Sequence, residues 1–470
     1  MVKVVIAAVC AGIVAAVFFL NAAAGLGVVL AVLTVAIVFR IKIEHFILFF
    51  ITVYPCLPFH AGIDFGSSLP VLRPHRVLAT LLIICWLSKK TIPGAIAALG
   101  RFPLVSLVPL FIVSNLFSFG ADVGGFSFAV GTFLLENVMI SLIIWSVLRQ
   151  CDERFVYRCV GVFAASAFIP LLIGMIEHLT QFNFYSLIAP YREILRGATA
   201  TQVRLGASRI KAAFPNSIEY GLLFALLVPA AIAFFSYWEN RFHQANARIW
   251  MAACLVAMWC GVWLSLSRLS IIIFMFNAFF CFLLIKPSRA AIIMLLVVLA
   301  AIPSLASKKS DSKLYHLIKG IVYTQSEQKE ISSSNDARLL QIERNKAAIL
   351  RSPLVGHGNA YFGGILDNYY LTVVLKVGLL GLIIFALFFI LPLLSTMRAW
   401  RRTTTLQGLL SVAAGAALIS VLIIFSVLSV INYLYIIWIY IGLWYGCPSM
   451  QYAGKEIGAD MNQGRKAVAV

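Results

Sequence analysis

Three short stretches of this 470-residue chain hold residue types whose spacing could do chemistry. In the first, Arg204 is followed by Arg209-Ile-Lys-Ala-Ala-Phe-Pro-Asn-Ser-Ile-Glu-Tyr-Gly221, which sets Arg209 and Lys211 just ahead of a long apolar run. Asn216, with Glu219 three residues on, has the spacing of a capped helix start. Such a start offers free N–H groups and the positive end of the peptide dipoles, so cations beside it describe a place for an anion. In the second, Leu264-Ser-Leu-Ser-Arg-Leu-Ser270, Arg268 stands between two apolar runs with almost no connection. A guanidinium near membrane depth costs a few kcal/mol or more unless it is paired, hydrated or able to snorkel. In the third, Arg338 and Ser352-Pro-Leu-Val-Gly-His-Gly358 lead to Leu366-Asp-Asn-Tyr-Tyr-Leu371, so His357, Asp367, Asn368 and Tyr369 gather at the mouth of another apolar run. A carboxyl with an ordinary pKa near ~4 is ionised at neutral pH and can accept a proton from a hydroxyl. Simpler uses compete. Capping accounts for Asn216, Glu219, Asp367 and Asn368, snorkelling for Arg268, and a solvated loop for His357.

The elements that must position these residues are membrane helices. The chain is 62% hydrophobic and 12% charged, with a mean hydropathy of +0.96, whereas a soluble domain carries about 25% charged residues. Apolar runs of spanning length recur, and in lipid they must be helices, because only then does each backbone polar group find its partner within the segment. The expected spans are 4–20, 24–39, 45–59, 77–88, 104–119, 130–148, 156–176, 217–236, 249–266, 269–285, 290–306, 369–395, 406–428 and 430–446. Since some are short or closely paired, the fold class is an all-α polytopic bundle of 12–14 transmembrane helices in a single integral membrane domain, residues 1–470. The first run reads as a retained helix rather than a signal peptide. The nine cysteines fall almost entirely within or beside apolar runs and in neither long loop, and Cys151 and Cys159 lack zinc-ligand spacing, so disulfides and a metal site are not expected; no cofactor is expected either.

Lys and Arg favour the cytoplasmic side of short connections. With an inside N-terminus, the cytoplasmic connections carry Lys3, Arg40, Lys89, Arg101, Arg149, Arg241, Lys286, Arg398, Arg401 and others, while the short outer ones hold little beyond Arg73 and Arg76. Both termini are then cytoplasmic, and two long loops, 177–216 and 307–368, fall outside. Both are basic; long loops cross regardless of charge, and the functional reading is an anionic ligand on the outer face, with no nucleic-acid partner expected. Within the second, Ser332-Ser-Ser-Asn-Asp336 reads as a helix start and 337–350 as an amphipathic helix lying at the membrane interface, ended by Pro353.

In order, "Arg…Phe-Pro-Asn…Gly", "Ser-Arg" at a span junction, and "Arg…Ser-Pro-Leu-Val-Gly-His-Gly…Asp-Asn-Tyr-Tyr-Leu…Val-Gly-Leu-Leu-Gly" resemble the O-antigen ligase and polysaccharide polymerase superfamily. The resemblance covers roughly residues 200–395. It implies a polytopic glycosyltransferase of the bacterial inner membrane acting on undecaprenyl-diphosphate-linked oligosaccharide outside that membrane. Arg209 and Arg268 would hold the lipid diphosphate, with Arg338 assisting and Arg204 and Lys211 beside them. The family usually shows His-Asn-x-Tyr-Leu where this chain has Asp367-Asn368-Tyr369-Tyr370-Leu371.

Charge then suggests a mechanism. Cleaving the anomeric C–O bond releases a diphosphate whose negative charge needs stabilising. The outer loops contain no Asp-x-Asp pair, so fixed guanidiniums are expected to serve, and Asp367 to activate the acceptor hydroxyl for inverting displacement. The expected product is a surface polysaccharide, O-antigen or exopolysaccharide, grown on a polysaccharide acceptor in contact with membrane lipid and a chain-length regulator. Two alternatives stay open: an O-antigen ligase with a lipid A-core acceptor, and a lipid-linked glycan flippase or other transporter.

Overall fold

The computed structural model describes residues 40–58, 73–90, 92–118, 130–183, 185, 202–204, 207–244, 246–286, 340–341, 343–358, 368–428 and 434–447. They form a helix bundle: α1 Ile43–Val53, α2 Pro74–Lys89, α3 Ile92–Arg101, α4 Leu107–Phe117, α5 Val130–Leu148, α6 Glu153–Ala165 and α7 Phe168–Thr180. After a two-stranded hairpin come α8 Ser217–Phe242, α9 Asn246–Leu264, α10 Arg268–Ile285, α11 over 343–351, α12 Tyr369–Met397, α13 Leu406–Phe425 and α14 Leu434–Gly446. Among the described residues, seven helical segments are long and apolar enough to cross a membrane, or eight if the sharply bent pair α2 and α3 counts as one. The expected spans 4–20, 24–39 and 290–306 lie outside the described residues. Each of the others falls on a described helix. Large apolar side chains are exposed on the outward faces of α7, α9 and α12, among them Leu172, Leu179, Ile249, Val256 and Ile383, as lipid contact requires.

Helix starts follow local chemistry. Asp152, Asn216, Ser267, Asn368 and Thr405 each accept a bond from the backbone N–H three residues on, which satisfies one donor that the first turn cannot.

At the centre lies α8, packed against α6, α9, α10, α13 and α14. It contains Pro229, which has no N–H to give the Ala225 carbonyl. Three neighbouring helices repair the ladder. Asn277 Nδ2 of α10 donates to Ala225 O at 2.9 Å, and Ser420 Oγ of α13 donates to Asn277 Oδ1 at 2.7 Å. Tyr440 of α14 donates to Leu226 O at 2.8 Å and accepts from Ala230 N at 2.9 Å. These pairings also set direction. Asn277 and Ala225 are both nine residues past Arg268 and Asn216, so α8 and α10 start at the same end. Ser420 lies late in α13, which therefore starts at the other end. Tyr370, second in α12, donates to Leu422 O of α13 at 2.7 Å, so α12 also begins where α8 and α10 do.

One expected span is corrected. Residues 369–395 read as a single helix, but Gly378 has φ +69° and ψ −174° and breaks it. Tyr369 meets Phe385 with ring centroids 5.3 Å apart, where a straight helix would put them about 24 Å apart. The two pieces of α12 therefore fold back on each other at Gly378. The break is held by the Pro353–Gly358 segment: His357 N donates to Leu375 O, Gly358 N to Lys376 O, Leu379 N to Pro353 O and Leu380 N to Leu354 O. A Cβ at Gly378 would lie 2.1 Å from Leu354 O, and one at Gly356 2.6 Å from Gly378 N, so both glycines are needed for close backbone approach.

Candidate functional site

The two stretches around Arg209 and Arg268 meet. Ahead of α8 a hairpin pairs Gln202–Arg204 antiparallel with Ala207–Arg209, in the register Gln202↔Arg209 and Arg204↔Ala207. This short hairpin is a small addition to an all-α helix bundle. It carries Arg209 to the α9–α10 junction, where Arg209 Nε donates to Ser265 O at 3.2 Å and Ile210 N to Leu264 O at 3.2 Å. From the other side, Ser270 Oγ donates to Ile218 O in the first turn of α8 at 3.1 Å. Gly221 allows the contact: a Cβ there would lie 2.4 Å from Ser265 Oγ and 2.6 Å from Ser270 Oγ. The result sets the starts of α8 and α10 side by side, with Arg268 opening α10 under the Ser267 cap.

Both connections are strained. Leu266 and Ala212 each have φ +48°, a left-handed conformation that costs a residue with a Cβ roughly 1–2 kcal/mol. Such strain persists only where the surroundings over-determine it. At Leu266 they are the bonds just described. At Ala212 they are a buried carboxylate: Glu177 Oε2 accepts from Ala212 N at 2.8 Å and Glu177 Oε1 from Lys211 N at 3.3 Å, while Asn183 Nδ2 donates to Ala212 O at 3.1 Å. Glu177, the first residue of the expected outer loop 177–216, belongs to the last turn of α7. Lys211 is 1% exposed. Burial holds its ammonium below the usual 10.5, Glu177 opposes that, and Arg209 adds to it.

Asn216 and Glu219 are reciprocally bonded: Asn216 Oδ1 accepts from Glu219 N at 2.8 Å, and Asn216 Nδ2 donates to Glu219 Oε1 at 3.0 Å. Glu219 is fully buried. Arg209, Lys211, Asn216, Glu219 and Arg268 thus share one region. Arg204 is placed by its strand backbone alone. Arg338 and Asp367 lie outside the described residues.

Asn368 and Tyr369 sit at the same end of the bundle, against α13. Asn368 caps α12, accepting from Leu371 N at 3.1 Å, and donates to Ser426 O at 3.1 Å. Tyr369 stacks on Phe425 at 5.1 Å. His357 Nε2 donates to Ala348 O of α11 at 2.6 Å, tying the Pro353–Gly358 segment to that helix.

A further polar cluster was not anticipated. Arg76 Nε bonds Glu136 Oε1 and its second guanidinium nitrogen reaches Thr132 Oγ1 at 3.4 Å, while His75 Nε2 lies 3.5 Å from Glu136 Oε2. Glu136 sits in a π-helical turn, Leu134–Val138, a local widening common at functional sites. Beside it, Tyr54 contacts both His75 and Tyr435, with centroids at 6.0 and 4.4 Å. The available signal was Arg76 as an outer arginine and Glu136 as an acid within an apolar run. Their pairing, 60 residues apart, is tertiary.

No protein-family model matches the chain, and no curated protein sequence matches it.

Proposed function

We propose that this multi-pass helical protein is a glycosyltransferase that joins undecaprenyl-diphosphate-linked oligosaccharide units into a surface polysaccharide. In this reading it acts at the outer face of the bacterial inner membrane, with both termini cytoplasmic. The observation that carries it is the bond from Arg209 Nε to Ser265 O, in the turn that delivers Arg268, where the starts of α8 and α10 lie side by side. Two guanidiniums beside two positive helix ends suit a lipid diphosphate at the moment its charge develops. Charge bias puts that end outside. Asp367 serves as the base that takes the acceptor hydroxyl proton. The helix that follows it is capped by Asn368.

The ligase reading differs only in acceptor. A transporter would line a midplane cavity with its charges, whereas Arg209 and Lys211 meet the turn before Arg268 at the end of the described bundle where α8 and α10 start. The discriminating experiment is the surface glycan profile of a deletion strain. A polymerase leaves single capped units and no long chains. A ligase leaves unattached polymer, and a flippase leaves lipid-linked units inside.

A further inference from the structure

The fold-back of α12 brings a lysine to its tip. Lys376 stands two residues before the Gly378 break and is partly buried. Its backbone carbonyl is taken by Gly358 N at 2.9 Å, but its ammonium has no partner among the described residues. Arg351, exposed at the end of α11, is in the same position. It approaches the same tip, because Pro353 O, two residues on, accepts from Leu379 N at 2.9 Å.

Depth identifies what these cations meet. The second piece of α12, Leu379–Met397, is about 28 Å long at about 1.5 Å per residue, which matches a hydrocarbon core of about 30 Å. Leu379, Leu380 and Ile383 at its start are 44%, 41% and 58% exposed, and Leu350 and Leu354 beside it are 68% and 65% exposed. That apolar surface belongs in acyl chains. With that surface in acyl chains, Lys376 falls just beyond it, at the depth of headgroup phosphates, where a cation with no partner among the described residues would meet an anion.

We infer that Lys376 and Arg351, at the tip of the broken helix, form a binding site for the phosphate of a lipid, separate from the Arg209–Arg268 region. The site does not depend on the transferase reading. Its occupant is either a phospholipid headgroup or a polyprenyl diphosphate, which share the phosphate chemistry.

The test is lipid retention by the purified full-length protein in detergent, read by native mass spectrometry. Phosphatidylglycerol and undecaprenyl diphosphate are the two probes, each also measured in an Arg268→Ala background. Lys376→Met is expected to weaken retention of at least one probe about tenfold, the loss of a contact worth about 1.4 kcal/mol. Lys376→Arg should retain it, as should Arg398→Gln at the far end of α12. Loss confined to undecaprenyl diphosphate assigns the site to a lipid-linked substrate, and loss confined to phosphatidylglycerol assigns it to bilayer lipid. Equal retention of both probes by wild type and Lys376→Met overturns the inference. So does a Lys376→Met protein that loses thermal stability but not lipid, because Lys376 then pairs within the chain.

Discussion

Arg209 Nε donates to the backbone carbonyl of Ser265, 3.2 Å away, and so ties the segment entering α8 to the turn that delivers Arg268. Fifty-six residues of chain separate the two partners, and the proposed anion site exists only while they stay together.

Gly221 is the closest-packed point of that junction. Gly221→Val would drive a side chain into Ser265 and Ser270, and overpacking of this kind costs about 1–3 kcal/mol. The expected result is a lowered unfolding temperature in detergent together with lost activity. Gly100→Val, where nothing lies within 4 Å of the added Cβ, is the control and should change neither.

The repair of α8 at Pro229 can be tested by a double-mutant cycle. Asn277→Leu strands the Ala225 carbonyl, at a cost of about 1–3 kcal/mol for a buried unsatisfied acceptor. Pro229→Ala restores the missing N–H, so Asn277→Leu should cost measurably less in that background. Additive effects would mean that Asn277 acts elsewhere.

Glu136 and Arg76 are 15% and 12% exposed at their side chains. Glu136→Gln leaves a largely buried guanidinium short of its counter-charge, and breaking such a pair costs up to about 3–5 kcal/mol. The double variant Arg76→Met/Glu136→Leu should be more stable than Glu136→Gln in thermal unfolding. If it recovers stability without activity, the cluster serves the reaction. If it recovers both, the cluster is only a tie between α2 and α5.

Lys211 gives a pH dependence with a definite sign. Its folded-state pKa lies below the usual 10.5, so between the two values the unfolded chain binds more protons than the native one. Stability therefore rises with pH through that window and falls back as pH drops through the folded value. Lys211→Met should flatten the alkaline rise in unfolding temperature. An unchanged slope would show that another group titrates there.

Much of the bundle was legible. Apolar run length located the helices, and the cap residues Asp152, Asn216 and Ser267 marked starts because capping is local chemistry. The meeting of the Arg209 segment with the turn before Arg268 was readable as order along the chain but not as contact. Three features were hidden for one reason. The break at Gly378, the Glu136–Arg76 pair and the Glu177 carboxylate under Ala212 each depend on partners at least 18 residues away. A glycine inside an apolar run looks like tolerated helix until the carbonyls of Pro353 and Leu354 arrive to complete a break there.

The central claim is best tested by polymer formation from purified lipid-linked repeat units in proteoliposomes. Wild type should give a ladder of products, with near-complete loss in Arg268→Lys, which keeps charge but not the planar fork. Arg209→Ala should fail likewise at normal protein level. Asp367→Asn should bind donor but turn over about 10²–10⁴-fold more slowly, the usual cost of a lost acid–base group. Full polymer synthesis by Arg268→Ala, or no glycan transfer by the wild type to any lipid-linked acceptor, would contradict it.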